Sequence, residues 1–209
     1  MRSTTDLTFT EQARRRQILD GAMRVIAELG YAQTSIARIA DEVGIAKSVV
    51  LYHFKAKNDI IEAVVATVFG TAVERMAPAV ADCATPTEQL AAYIRSNIAF
   101  IADNRVPAIA MLEIVTGYRS PDGLRADQAV PLQESADLQG WSVLDPESIF
   151  AEGTRTKAFR PLSPVFMKNA LRAALDGAVW EYARDPQYDI TGYGEELVTI
   201  FELATRSQR

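Results

Sequence analysis

Apolar residues recur along this chain at spacings of three and four, and the recurrence breaks at glycines, prolines and small polar residues. Ile18, Ala22, Val25, Ile26 and Leu29 share one helical face. Thr8 and Glu11 have capping-box spacing at its start, and Gly30 suits its stop. Ile36, Ile39, Ala40 and Val43 repeat the pattern over a short second helix that Thr34 or Ser35 can cap and Gly44 ends. A third helix restarts from about Ala46 to Phe54, with Val50 and Phe54 on one side and Ser48, Val49 and Tyr52 on the other. Two short helices around a glycine turn, behind a longer one, is the helix-turn-helix pattern, although an ordinary helical corner has the same spacing. In the DNA-reading version the second helix locks the third at a steep angle, so that it projects into the roughly 12 Å major groove.

Helical periodicity continues to the end. Asn58 to about Asp82 carries Ile60, Ile61, Val64, Val65, Val68 and Ala72 on one long helix. Thr85 to Glu88 opens another, with Leu90, Ile94, Ile98 and Ile101 in register. A break at Asn104 to Pro107 precedes a helix to about Val115. From Gly117 to about Pro146 the pattern is poor and rich in proline and glycine, which predicts an irregular flap over a cavity with a short helix around Leu124 to Leu138. A short helix at about 146–153 follows. Pro164 to Arg184 is a clear helix, with Leu171, Leu175, Ala178 and Val179 in a stripe and Ala170, Ala173 and Gly177 allowing close approach of a neighbour. The last helix runs from about Thr191 to Thr205. The fold class is all-α.

Composition narrows the chemistry. The chain has 209 residues, 48% apolar and 23% charged, ordinary values for a globular protein with a real core. One cysteine, Cys83, and one histidine, His53, leave no material for an internal disulfide or a histidine-based metal site. No catalytic triad, paired-carboxylate motif or phosphate-binding glycine loop is visible, so no enzyme, cofactor or metal site is expected. The polar start and the lack of a long apolar run predict neither signal peptide nor membrane span, and a reducing cytoplasm. Charge is uneven. Residues 1–57 hold nine basic and six acidic side chains, net +3, whereas the remainder carries −8. That asymmetry suggests a polyanion-binding head on an acidic body. The run Arg14-Arg15-Arg16 reads either as a solvated face or as a phosphate contact.

Gly30-Tyr31, Thr34-Ser35-Ile36, Ile39-Ala40, Val43-Gly44-Ile45, Tyr52-His53-Phe54, Lys57 and Ile60-Ile61 together resemble the DNA-binding domain of the TetR family of transcriptional regulators. The resemblance covers about residues 11–71, with the helix-turn-helix at about 35–54. It implies an N-terminal three-helix DNA-binding domain over residues 1–57 and a larger helical effector-binding and dimerisation domain over 58–209. Position by position, it implies phosphate contact by Thr34 and Ser35, base-edge contact by Lys47, Ser48 and Val49, and backbone proximity for Tyr52 and His53. It also implies that Lys57, at the start of the fourth helix, reaches phosphate. Three positions depart from the family. Ala46 stands where serine often caps the recognition helix, Val49 replaces a frequent threonine, and Leu51 replaces a frequent tyrosine.

The resemblance further implies a homodimer through the last two helices, about 164–184 and 191–205, on a palindromic double-stranded operator. A small hydrophobic or aromatic effector would bind among the helices of 58–153, with Tyr93, Asn97, Glu113, Tyr118 and Trp141 as candidate wall residues. The expected function is a repressor that the effector releases from its operator, with activation open as the alternative. A head that grips a protein instead of DNA would lack sequence-selective DNA binding.

Overall fold

The Thr8 hydroxyl accepts the Glu11 backbone N–H at 3.3 Å, and the Glu11 carboxylate accepts the Thr8 backbone N–H at 2.9 Å, so the expected capping box opens the first helix. The computed structural model describes residues 8–119, 122–124 and 145–207. Trp141 and most of the expected flap at 117–146, including its short helix, lie outside them. Two compact units emerge: residues 1–68 with 106–130, and residues 69–105 with 131–209. The boundary expected between residues 57 and 58 coincides with the start of a helix that runs unbroken past residue 68.

The first unit holds α1 (Phe9–Leu29), α2 (Ile36–Val43), α3 (Lys47–His53), the first part of α4 (Lys57–Ala81) and most of α6 (Arg105–Gly117). Its core is the stripe read from the sequence: Ile18, Ala22 and Ile26 of α1, Ile39 of α2, Val50 of α3, Phe54, and Ile60, Ile61 and Val64 of α4 are all buried. The turns follow from local chemistry. Gly30 has φ +80, and Gly44 sits in the left-handed region at φ +71, ψ +36, a conformation in which a side chain would be strained. The Ile45 N–H reaches back to the Ala40 carbonyl at 3.0 Å, closing the end of α2 in the Schellman manner. An ion pair from Arg24 to Glu42 at 2.5 Å adds a link between α1 and α2.

The second unit comprises the rest of α4, α5 (Pro86–Asp103), α7 (Pro146–Arg155), α8 (Pro164–Arg184) and α9 (Ile190–Thr205). A second capping box, Thr85 with Glu88, opens α5. The expected break at 104–107 contracts to Asn104 alone. Pro107 falls in the first turn of α6, where a missing N–H leaves no intrahelical bond unmade. Pro78 lies inside α4, within the span that the apolar periodicity gave to this helix. Helix α5 packs against α7 and α9, burying Leu90, Ile94, Ile98 and Ile101 against Phe150, Leu197 and Phe201, among others. Beyond α7, Phe159 and Arg206 form an antiparallel bridge.

Candidate nucleic-acid interface

Helix α3 is rooted on one side and open on the other. Val50 is 0% exposed and Phe54 2%, whereas Tyr52 is 71% exposed and Lys47, Ser48, Val49 and Leu51 also face solvent. Two buried side chains four residues apart hold the helix, so its opposite face must stand out. As the sequence indicated, Ala46 offers no side-chain hydrogen bond at the N-terminus of α3.

The C-terminal end of α3 is held by α1. The Arg15 guanidinium donates to the His53 carbonyl oxygen at 2.6 Å and lies 4.1 Å from the centre of the Phe54 ring. The Tyr52 hydroxyl donates to the Glu11 carboxylate at 3.2 Å. Glu11 and Arg15 are four apart on α1, hence on one face, and they engage consecutive residues of α3. His53 is half-buried, its ring edge-on to Tyr52. Burial, then the charges of Arg15 and Arg14, push its pKa below the ordinary imidazole value, against the opposing pull of Glu11. Burial also lowers the Arg15 guanidinium, which Asp59 partly offsets.

Ser35 caps α2, its hydroxyl accepting the Arg38 N–H at 3.3 Å. Thr34 is placed differently from a surface contact. It is 3% exposed, and its hydroxyl donates to the Gly30 carbonyl at 2.9 Å, closing the turn between α1 and α2. Lys57 opens α4 with its ammonium turned to Tyr31, donating to the Tyr31 carbonyl at 2.9 Å and lying 4.0 Å from the ring centre. Burial lowers its pKa. Just beyond, the Asp59 carboxylate takes the backbone N–H groups of Lys55 and Ala56, so these amides before α4 are already satisfied.

The described effector candidates divide between the two units. Tyr93 and Asn97 lie one turn apart on α5 in the second unit. Tyr93 is 0% exposed, with its hydroxyl hydrogen-bonded to Asn97 and to Arg172 of α8. Glu113 and Tyr118 belong to the first unit. Glu113 accepts the Tyr31 N–H at 3.4 Å, and the Tyr118 ring packs edge-on to Tyr31 at 5.9 Å. Burial, then the nearby Glu62 carboxylate, raises the Tyr118 phenol. Sequence spacing did not foresee the contacts that Arg15, Tyr31 and Glu113 make in this head. The signals for Arg15 were the basic run at 14–16 and its four-residue offset from Glu11. Among the described residues no His/Cys/Asp/Glu group is arranged to hold a metal ion, and no helix is long and apolar enough to cross a membrane.

Residues 18–64, which span α1 to α4, match the family model of bacterial regulatory proteins, tetR family. Over these residues the chain carries a domain of the tetR-family type. A similar protein, the fatty acid metabolism regulator protein of Bacillus subtilis, is 34% identical over 99 residues, 47% of this chain. The match spans about half that relative's length, 51%. Two solved structures share the fold over nearly their whole length. The regulator FadR from Bacillus subtilis in complex with stearoyl-CoA has a TM-score of 0.71 at 23% identity, covering 91% of this chain and 99% of that one. AibR in complex with isovaleryl coenzyme A and operator DNA has a TM-score of 0.70 at 21% identity, covering 90% of this chain and 97% of that one.

Proposed function

We propose that this chain is a sequence-specific DNA-binding transcriptional regulator of the TetR family, a repressor that a small effector releases from a palindromic operator. The observation that carries the reading is the exposed face of α3 standing on buried Val50 and Phe54. Lys47, Ser48 and Val49 meet base edges in the major groove. Val49 offers methyl groups to a thymine but no hydrogen bond. Ser35, Tyr52 and His53 lie along the phosphate backbone and fix register. Thr34 supports that surface from beneath. Lys57 adds positive charge at the start of α4, reaching phosphate if its ammonium leaves Tyr31.

A two-fold operator needs a two-fold protein. The outer faces of α8 and α9 support one. Phe166 and Trp180 of α8 and Ile200 and Leu203 of α9 are exposed large apolar residues, and Ala170, Ala173 and Gly177 share the α8 face, where small side chains admit a close neighbour. A second copy of this chain covers that surface in the dimer.

The effector is a small molecule with an apolar part, and acyl-CoA thioesters, an apolar acyl chain on a charged carrier, are the class to test first. The support is the likeness to structures bound to stearoyl-CoA and isovaleryl coenzyme A. Tyr93 and Asn97 are the polar anchors that α5 offers, and Trp141 remains a candidate. Glu113 and Tyr118, beside Tyr31 in the first unit, are the other wall candidates. Release requires that the effector bind the non-binding conformation more tightly than the DNA-binding one.

Selection of bound sequences from random duplex DNA by the purified protein tests this reading. A palindromic consensus whose binding falls on adding an acyl-CoA is the expected result. Recovery of no consensus would overturn it.

A further inference from the structure

Three helices of this chain end in the same way. The last carbonyls of a helix have no partner within it and carry the negative end of its dipole. The Arg105 guanidinium donates to the carbonyls of Tyr182 and Ala183 at the end of α8, at 3.0 and 2.9 Å, and lies 5.5 Å from the Tyr182 ring centre. Arg160 donates to the Ala204 carbonyl at the end of α9 at 2.6 Å. Arg15 does so at the end of α3, on the His53 carbonyl at 2.6 Å, and covers the Phe54 ring as Arg105 covers Tyr182.

The consequence differs for α3 because of its length. Helices α8 and α9 have 21 and 16 residues and are held along many turns, whereas α3 has seven and no side-chain cap at its start. Two turns of helix contribute little stability of their own. What fixes the orientation of α3 is its buried pair, Val50 and Phe54, together with polar ties from α1 at its far end.

We propose that Arg15 is a positioning residue for the recognition helix, clamping its last turn to α1 so that Lys47, Ser48 and Val49 are presented at a fixed angle. This rests on the DNA-reading function proposed above. It assigns the Arg14-Arg15-Arg16 run a divided role, with Arg15 turned inward and Arg16 left exposed. A clamp that sets angle acts on the match between protein and operator. Its loss weakens the specific complex more than the non-specific one, where phosphate attraction dominates. It leaves the number of phosphates neutralised unchanged, so the dependence of affinity on salt keeps its slope.

The test titrates wild type, Arg15→Met, Arg15→Lys and Arg16→Met onto the selected operator and a random duplex over a salt series. Amide exchange at residues 50–54 is measured by NMR in each free protein. Arg15→Met is expected to lose about tenfold on the operator, the scale of one charge-assisted hydrogen bond. It loses less on random DNA, keeps the salt slope, and exchanges faster at residues 50–54. Arg15→Lys, with one compact donor group, falls between, and it carries the same comparison if Arg15→Met fails to fold. A slope smaller by about one with unchanged exchange makes Arg15 a phosphate contact instead. Equal losses on both duplexes, or no change in exchange, also overturn the proposal. If wild type itself selects no sequence, the DNA-reading function falls, and exchange at residues 50–54 alone decides whether Arg15 clamps α3.

Discussion

The ammonium of Lys57 lies 4.0 Å from the centre of the Tyr31 ring and donates to the Tyr31 carbonyl oxygen at 2.9 Å. One side chain thus ties the start of α4 to the turn after α1. A partly desolvated cation over an aromatic ring and a charge-assisted hydrogen bond each contribute on the order of 1 kcal/mol. Lys57→Met is therefore expected to lose about 1–2 kcal/mol in urea unfolding. A variant as stable as wild type would show that the contact contributes nothing.

His53 gives the head a pH dependence of known sign. Its folded pKa lies below the ordinary 6.5, first through burial and then through Arg15 and Arg14. The unfolded chain then binds the proton more readily. Stability is fully present above 6.5, falls as the pH drops from there toward the folded pKa, and levels off below it. Because the chain has a single histidine, its imidazole signals in an NMR titration are unambiguous. The midpoint is expected below 6.5 in the folded protein, moving up in Arg15→Met as one cause is removed. A midpoint at or above 6.5 contradicts the description of this site.

Local rules explain what the sequence made legible. The capping boxes at Thr8 and Thr85, the glycine stop at Gly44 and the two-sided α3 all depend on residues within a few positions of one another. The unforeseen features join distant residues. Arg15 and His53 are 38 positions apart, Tyr31 and Glu113 are 82 apart, and Arg105 meets Tyr182 across 77. No periodicity encodes such pairs. The same limit explains Thr34 and Lys57: the family resemblance implied phosphate contacts for them, but only the packed structure shows their polar atoms turned to Gly30 and Tyr31.

Close packing of α1 on α2 makes a second stability test. A Cβ on Gly21 would stand 2.3 Å from a Val43 methyl carbon, so either the stiff Val43 side chain or the helices must shift to admit it. Gly21→Ala is expected to cost about 1–3 kcal/mol through overpacking, outweighing the gain in helix propensity. Gly70, inside α4 with nothing within 4 Å of its Cβ position, is the control. Gly70→Ala should stabilise by about 0.5–1 kcal/mol. The two thermal melts moving in the same direction would refute this packing argument.

The outer faces of α8 and α9 predict an oligomeric state. Trp180 and Leu203 are exposed in the single chain. Placing a glutamate at both, Trp180→Glu with Leu203→Glu, buries charge in the proposed interface and should yield a monomer in sedimentation velocity. Operator affinity should fall with it, since one head then binds alone. A wild-type protein that sediments as a monomer at micromolar concentration, or a double variant that remains dimeric, would place the interface elsewhere.

In the proposed complex the exposed face of α3 reads base edges twice per assembly. Sequence selection from random DNA, repeated with Lys47→Ala and Val49→Ala, measures this directly. Wild type is expected to select a palindromic consensus, and each variant to show relaxed preference at one pair of symmetry-related positions, with the rest of the site retained. A consensus identical for all three proteins, or one without two-fold symmetry, would contradict it.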